Sequence, residues 1–548
     1  MNNLPPEVLN QIFALLYQID RVNCMTVCQA WQAAIMKSSL LETINISTVD
    51  QFIDLMGIVE QDEKLGLQTR RLLLDLGAFR DTQLYDFPTF FPNVRTFYLT
   101  KFNEVQNIKD TRFQPWRDNL EVVIENQGCV FARQFLDSGI CLRLKRISFK
   151  RLLIRSTEFI SSLKNAPNLQ SLELTHISIN LQELEALHNA VPLLKKLDIA
   201  SVHLKDGDFP ANITPAFSIT TISFGITNGI LKQCEILQYA TAKYIHLVDF
   251  SLNDKFNKFV GWDHDVESFD DAAFSYFFEK VHSKLKHLEI TLIAVPVHFS
   301  ELLDNANCRI QNLNIESSLS VEVLTKISLS KQAAYIQSLT LANIGFNCYT
   351  FLKELIHLKE LRLSSKYKKI RHAAPHETDI NTILCIDSLE LLELNGFNLS
   401  CILPSRQYLL KRLVLESVVL PKETTLDNFL SGSCPFLHSL KLFNCELSGI
   451  NLGHFRLPQH TLSYLCISDD FNSANNDYML LYENSIHDIS VFEPQTDNIN
   501  NYFHPCDNAV QGSDKSLPNS RLYHKAFITF ECASVDTVVL LYANAIYS

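Results

Sequence analysis

Glycine is scarce, at 15 of 548 residues. No glycine-rich loop is present to cradle a phosphate, and neither GxSxG nor HExxH occurs, so the common nucleotide-binding, hydrolase and zinc-protease signatures are missing. The 14 cysteines include no CxxC pair and follow no framework spacing. Positive charge is also short. Against 60 Asp and Glu stand 48 Lys and Arg, a formal net charge of −12. That balance disfavours non-specific binding to nucleic acid or to an anionic membrane. No apolar run reaches the roughly 18 residues that span a bilayer. The longest candidate, Val538 to Ile546, is interrupted by Asn544. The opening MNNLPPEVLNQI carries Glu7 and no basic segment, so it does not read as a signal peptide. Without such a signal, cysteines set in apolar patterns, such as Cys385, Cys445 and Cys466, read as small buried hydrophobes in a reducing compartment. The cytoplasm, the nucleus or both are expected.

What is present is repetition. Apolar residues make up 47% of the chain, enough for a continuous core. The pattern apolar-x-x-apolar-x-apolar recurs, as in LQSLELTHI from Leu169, LKKLDIASV from Leu194, LKHLEITLI from Leu285 and LHSLKLFNC from Leu437. Starts fall at 69, 94, 120, 144, 169, 194, 219, 242, 285, 310, 336, 358, 389, 410, 437 and 462, with weaker units at Leu41 and Ile486. The copy at Leu120 places Glu125 on its sixth position, which suggests a phase shift of one. The usual spacing of 24 to 26 residues lies in the leucine-rich-repeat range. The apolar-x-apolar part reads as a strand with one face inward. Intervening stretches, such as Ser178 to Pro192, read as helices ended before proline. No repeat can bury its own apolar face, so stacking is obligatory. The asparagine usual in leucine-rich repeats is mostly missing, which predicts varied turns.

The first forty residues keep a different rhythm. Pro5 and Pro6 suit a first helical turn, and Val8, Ile12, Leu15 and Leu16 follow at helical spacing with Phe13 widening the stripe. Asp20 suits a cap for a second helix, and Val27, Cys28, Trp31 and Ile35 form a third apolar set. So small a module cannot bury all these groups alone. Leu4-Pro5, Glu7, Leu9, Ile12-Phe13, Leu16, Asp20, Val27-Cys28 and Trp31 together resemble an F-box; Arg21 and Leu41 depart from the family's pattern. The F-box family docks on the Skp adaptor of cullin–RING ubiquitin ligases. The resemblance implies that Leu4, Pro5, Ile12, Leu16, Val27, Cys28 and Trp31 lie at or under the adaptor-facing surface. Ser433 to Cys445 is similar to the cysteine-containing repeats of F-box proteins.

The expected architecture is α/β: a three-helix F-box over residues 1–42, then a curved leucine-rich-repeat solenoid over 43–492. It should hold about 16 to 19 repeats, with parallel strands on the concave face and helices outside. Two inserts interrupt it. One, near 253–272, mixes acids and aromatics, including Asp263, Asp265, Trp262 and Phe269; the other, near 364–386, is basic, with Lys366, Lys368, Lys369 and Arg371. His372, His376 and Asp379 fall short of a zinc set, so no metal is expected. A polar loop is expected over 493–526 and capping strands over 527–548.

Side chains between the buried strand positions should line the concave face: Arg146, Ser148 and Lys150; Ser171 and Glu173; Lys196 and Asp198; Thr221 and Ser223; Asn312, Asn314 and Glu316. Tyr244, His246, His287 and Glu289 flank the acidic insert and are the first candidates for substrate contact. No nucleophile, base and orienting group can be assembled, so neither an enzyme nor a cofactor is expected. The resemblance implies a non-catalytic substrate receptor of a Skp–cullin–F-box ligase, joining the adaptor to a protein substrate, with no nucleic-acid or membrane partner. The alternatives are a leucine-rich-repeat scaffold, or an enzyme regulator without a ligase role.

Overall fold

The computed structural model describes residues 8–9, 12–13, 24–25, 27–37, 42–61, 63–75, 87–100, 111–126, 130–149, 156–226, 230–253, 271–291, 295–316, 319–344, 349–365, 377–401, 406–419, 426–443, 445, 455–469, 476–482, 489–491 and 524–542. It divides into two compact units, residues 1–284 and 285–548.

In the first unit each apolar-x-apolar segment forms a strand. These are β1 (Thr43–Ile46), β2 (Arg71–Leu74), β3 (Thr96–Leu99), β4 (Val122–Glu125), β5 (Arg146–Phe149), β6 (Ser171–Ile179), β7 (Lys196–Leu204), β8 (Thr221–Ile226) and β9 (Asp249–Asn253). Each pairs parallel with the next in unbroken order. The register places like repeat positions side by side: Leu72, Phe97, Val123, Ile147, Leu172, Leu197, Ile222 and Phe250 follow one another across the sheet. All eight are buried, while their strand neighbours on the other face stay largely half-exposed, as strand alternation requires. Helices such as Leu181–Ala190 return the chain between strands. That helix opens on a capping box, with Asn180 and Glu183 each accepting the other's backbone N–H. Five rings (Phe97, Phe113, Trp116, Phe131 and Phe135) fill the core between strands and helices, and Trp116 Nε1 donates to the Phe91 carbonyl at 2.9 Å.

The second unit repeats the plan with β10 (His287–Thr291), β11 (Asn312–Ile315), β12 (Ser338–Ile344), β13 (Glu360–Ser365), β15 (Leu391–Asn395), β17 (Arg412–Glu416), β18 (Ser439–Phe443) and β19 (Phe455–Asp469). All are parallel in that order, and β14 (Glu377–Asp379) pairs with β16 (Asn398–Cys401) beside them. The segment expected to cap the repeats is β22 (His524–Tyr542), which lies parallel to β19, β20 (Asn476–Tyr482) and β21 (Ile489–Val491). Most of the polar stretch 493–526, the core of both inserts and Lys150 lie outside the described residues. The weak units at Leu41 and Ile486 do supply strands, β1 and β21.

Two expectations about phase change. Glu125 pairs with Leu99 and Phe149 in register, so the repeat at Leu120 is not shifted; its sixth position is a buried carboxylate. The repeat placed at Ala242 begins instead at Leu247, because helix Ile230–Lys243 runs through the earlier position and Phe250 aligns with Ile222.

Five turns share one hydrogen bond. Asn93, Asn119 and Asn168, each just before a repeat's first residue, donate Nδ2 to the carbonyls of Leu67, Pro92 and Leu142 at 2.8, 3.0 and 2.7 Å. Ser218 and Ser388 serve the same way toward Pro192 and Ile356. At these five turns a polar side chain ties one repeat to the one before it. At the other end of the strand the eighth repeat position is left-handed in four repeats among the described residues: His176, Ser201, Gly396 and Ser417 have φ of 57°, 61°, 76° and 52°.

Candidate adaptor and substrate surfaces

The N-terminal module closes on Leu9, Phe13, Ala34 and Ile35, with Cys24, Met25 and Trp31 packed against them. Leu9 and Phe13 are four apart and share the buried helical face; Val8 and Ile12, also four apart, share a neighbouring face that is 37% and 41% exposed. Val27, in the turn before helix Gln29–Lys37, is 62% exposed. Cys28 is half-buried. Trp31 stands edge-on to Phe13 with centroids 5.3 Å apart, so it supports the surface from below. Its indole N–H is buried without a hydrogen-bond partner among the described residues. Ile12, Val27 and Cys28 therefore occupy accessible positions over this core, while Leu4, Pro5 and Leu16 lie outside the described residues.

On the open strand face of the first unit, Glu173 sits between Arg146 (2.9 Å) and Lys196 (3.0 Å). Partial burial works against ionisation, but the two cations hold this carboxyl below the usual range. Ser171, Asp198, Thr221 and Ser223 occupy the adjoining half-exposed positions, and Ser148 is buried. In the second unit Arg362 bridges Glu360 (2.9 Å) and Glu393 (3.4 Å), and Arg412 reaches Glu360 at 3.1 Å. Both faces are thus bound up in ion pairs of their own.

The four candidate contact residues separate. His287 and Glu289 lie on β10, half-exposed, with His287 hydrogen-bonded to Asn312. His246 lies in the turn before β9, 2.7 Å from Lys284 Nζ and with its ring 5.9 Å from that of Phe217. Tyr244 is not a surface residue. It follows the last helical turn, fully buried, and shares a 2.8 Å hydrogen bond with His188 Nε2. The shifted repeat phase explains this: Asp249 and Ser251 hold the face positions assigned to Tyr244 and His246.

Beside Tyr244 lies a buried polar cluster that helical periodicity conceals. Glu185 accepts from Lys243 Nζ and the Tyr239 hydroxyl, each at 2.8 Å, and from the Thr214 N–H at 3.4 Å. Its one sequence signal is the placement of Glu185 and His188 within the buried stripe of Leu181, Leu184 and Leu187. Burial, then the nearby Lys243 charge, pushes His188 down to about 3, leaving the imidazole neutral. Burial likewise lifts the Cys141, Cys308 and Cys434 thiols to about 12, which suits packing and not nucleophilic attack. Among the described residues no cluster of three His, Cys, Asp or Glu is placed to hold a metal ion, and no helix is long and apolar enough to cross a membrane.

Two protein-family models match the chain. Residues 1–47 match the F-box-like model and residues 409–433 match a Leucine Rich Repeat model. No curated protein matches it. Among solved structures it is similar to the TLR13–ssRNA13 complex, at 12% identity and TM-score 0.35 over 75% of this chain and 68% of that one. An internalin (inlF) of Listeria monocytogenes aligns at 14% identity and TM-score 0.31, over 63% of this chain and 94% of the other. The functional domain of InlJ from the same bacterium aligns at 10% identity and TM-score 0.28, over 72% and 71%.

Serial parallel strands at one register, joined by helices, together with the repeat match, make this a leucine-rich-repeat protein of α/β class. With the N-terminal match it is an F-box/leucine-rich-repeat protein: an F-box-like module followed by a repeat array.

Proposed function

We propose that this chain is the substrate-recognition subunit of a Skp–cullin–F-box ubiquitin ligase. The observation that carries the reading is the exposed apolar set of Val8, Ile12 and Val27 on a module matching the F-box-like model. Exposed aliphatic groups over a closed core supply the apolar centre that a stable interface needs. Leu4, Pro5, Leu16, Cys28 and Trp31 complete the adaptor site, Trp31 as support from beneath. The repeats hold a protein substrate, and His246, His287 and Glu289 remain among their half-exposed contacts. The chain itself is non-catalytic in this role: it raises the effective concentration of the substrate near the conjugating enzyme. A cytoplasmic or nuclear setting follows from that role.

The test is co-purification with the Skp adaptor of the full chain and of an Ile12→Asp/Val27→Asp variant. Both changes fall on exposed positions, so the melting temperature should hold while adaptor binding is lost. Absence of adaptor from the unmutated protein would remove the ligase role and leave a scaffold.

A further inference from the structure

Among the described residues, four of the eleven large apolar side chains that the first unit leaves exposed share one place in the repeat. Leu67, Leu142, Leu193 and Phe217, 46% to 64% exposed, all fall in the two residues before a repeat's first buried residue, in the turn from helix into strand. The second unit shows the same bias, with Tyr335, Ile356, Leu409 and Phe436 at those two positions and all exposed. Two positions in a repeat of this length would not collect so many large apolar groups by chance.

Within the first unit these turns form a continuous edge. Just inside them the backbone is laddered: the N–H groups of Arg95, Glu121, Lys145, Gln170, Lys195 and Thr220 donate to the carbonyls of Arg70, Arg95, Glu121, Lys145, Gln170 and Lys195. Neighbouring turns therefore stand about 5 Å apart, so Leu193 and Phe217 adjoin and Leu142 lies about 10 Å further along.

The edge is also basic, in a chain whose net charge is −12. Its turn and ladder positions carry Arg70, Arg95, Arg143, Lys145 and Lys195, against Glu42, Asp118 and Glu121. Glu121 is already held by Lys145 (2.7 Å) and Arg95 (3.7 Å). Arg143 donates to Asn119 Oδ1, and Lys195 has no ion pair among the described residues. The open strand face differs, since its Arg71, Arg146 and Lys196 are matched by Glu173, Asp198 and Asp249. The surplus cations and the exposed apolar surface therefore coincide on the edge.

We propose that this basic, apolar edge of the first unit is a docking surface for an acidic polypeptide segment carrying large apolar side chains. The proposal rests on the reading of the repeats as a substrate-binding array and names the substrate's chemistry. Leu142, Leu193 and Phe217 supply the apolar anchors. Lys145, Lys195 and Arg143 steer and fix the register of Asp and Glu side chains between them. A neutral apolar segment lacks the steering, and an acidic polar one lacks the anchors.

The test is fluorescence anisotropy with the full-length protein and a synthetic peptide in which Asp and Glu alternate with Leu and Phe. Comparison peptides keep the acids with Ser replacing the apolar residues, or keep the apolar residues with Lys replacing the acids. Leu142→Ser/Leu193→Ser/Phe217→Ser and Arg143→Glu/Lys195→Glu should each weaken the acidic apolar peptide at least about tenfold. These positions are exposed, so adaptor co-purification and melting temperature should hold, which separates failure here from failure of the ligase reading. Equal binding of all three peptides, or variants that bind like the unmutated chain, would overturn the proposal. So would a preference for phosphatidylserine vesicles or single-stranded polynucleotide that the same variants abolish.

Discussion

The Tyr244 hydroxyl lies 2.8 Å from His188 Nε2, with both side chains sealed from solvent. Two groups that look functional in a sequence are here spent on each other. The folded protein keeps His188 neutral down to about pH 3, whereas the unfolded chain protonates it near pH 6.5. The unfolded state thus binds the extra proton between those values. The contribution is present above pH 6.5 and is lost as pH falls toward 3. In urea unfolding from pH 4 to 7, the stability of the parent relative to His188→Gln should rise with pH. Tyr244→Phe should cost about 1–3 kcal/mol by leaving the imidazole unpaired.

Lys243 and Glu185 form a buried ion pair at 2.8 Å, with side chains only 2% and 11% exposed. Removing one partner strands the other charge. Lys243→Met should therefore destabilise the first unit by roughly 3–5 kcal/mol. Lys243→Met/Glu185→Gln should recover a large part of that loss, since replacing both charges leaves neither uncompensated. Thermal denaturation of the two variants side by side reads the difference.

Glu125 should give the opposite pH dependence. It is buried on β4, where Oε1 and Oε2 accept the N–H groups of Phe131 and Ala132 at the start of helix Val130–Asp137. Burial raises this carboxyl to about 7, and the backbone donors offset only part of the shift. The folded state now binds the extra proton, so the contribution is full below about pH 4.5 and is lost as pH rises through 7. Glu125→Gln should remove a pH-dependent cost of up to about 3 kcal/mol. Denaturant midpoints of the variant and parent should draw apart between pH 5 and 8.

Gly225→Ala should be poorly tolerated although the residue is in a strand. A Cβ there would stand 2.8 Å from the Ser201 backbone nitrogen and 3.3 Å from the Ala200 Cα. Backbone cannot give way as a side chain tip can, so a loss of about 1–3 kcal/mol is expected, measurable by calorimetry.

The repeats were legible because each copy independently states the same pattern, and a parallel register then forces like positions together. The weak units at Leu41 and Ile486 were found on that pattern alone. The pattern at Ala242 misleads because Ile245 and Leu247 imitate a strand while lying in the turn after helix Ile230–Lys243; Phe250 and Leu252 carry the real strand. That slip displaced Tyr244 from core to face and hid its partner 56 residues earlier in sequence. Glu125 looked like a phase error because no local pattern announces a carboxylate that caps a following helix. In the N-terminal module the apolar residues were identifiable, but not their division between inside and outside. That division required Phe13 to be seen closing against Trp31, leaving Ile12 and Val27 uncovered.

The backbone ladder from Arg70 to Val248 has a mechanical consequence. Each rung joins only neighbouring repeats, so a force applied at the two ends of the first unit loads the rungs one after another instead of all at once. The array would peel like a zipper, each repeat paying out about 8–9 nm of chain for its 25 or so residues. A partner lying across several turns would clamp those rungs together, so that pulling must break them as a group: occupancy would be felt as stiffness.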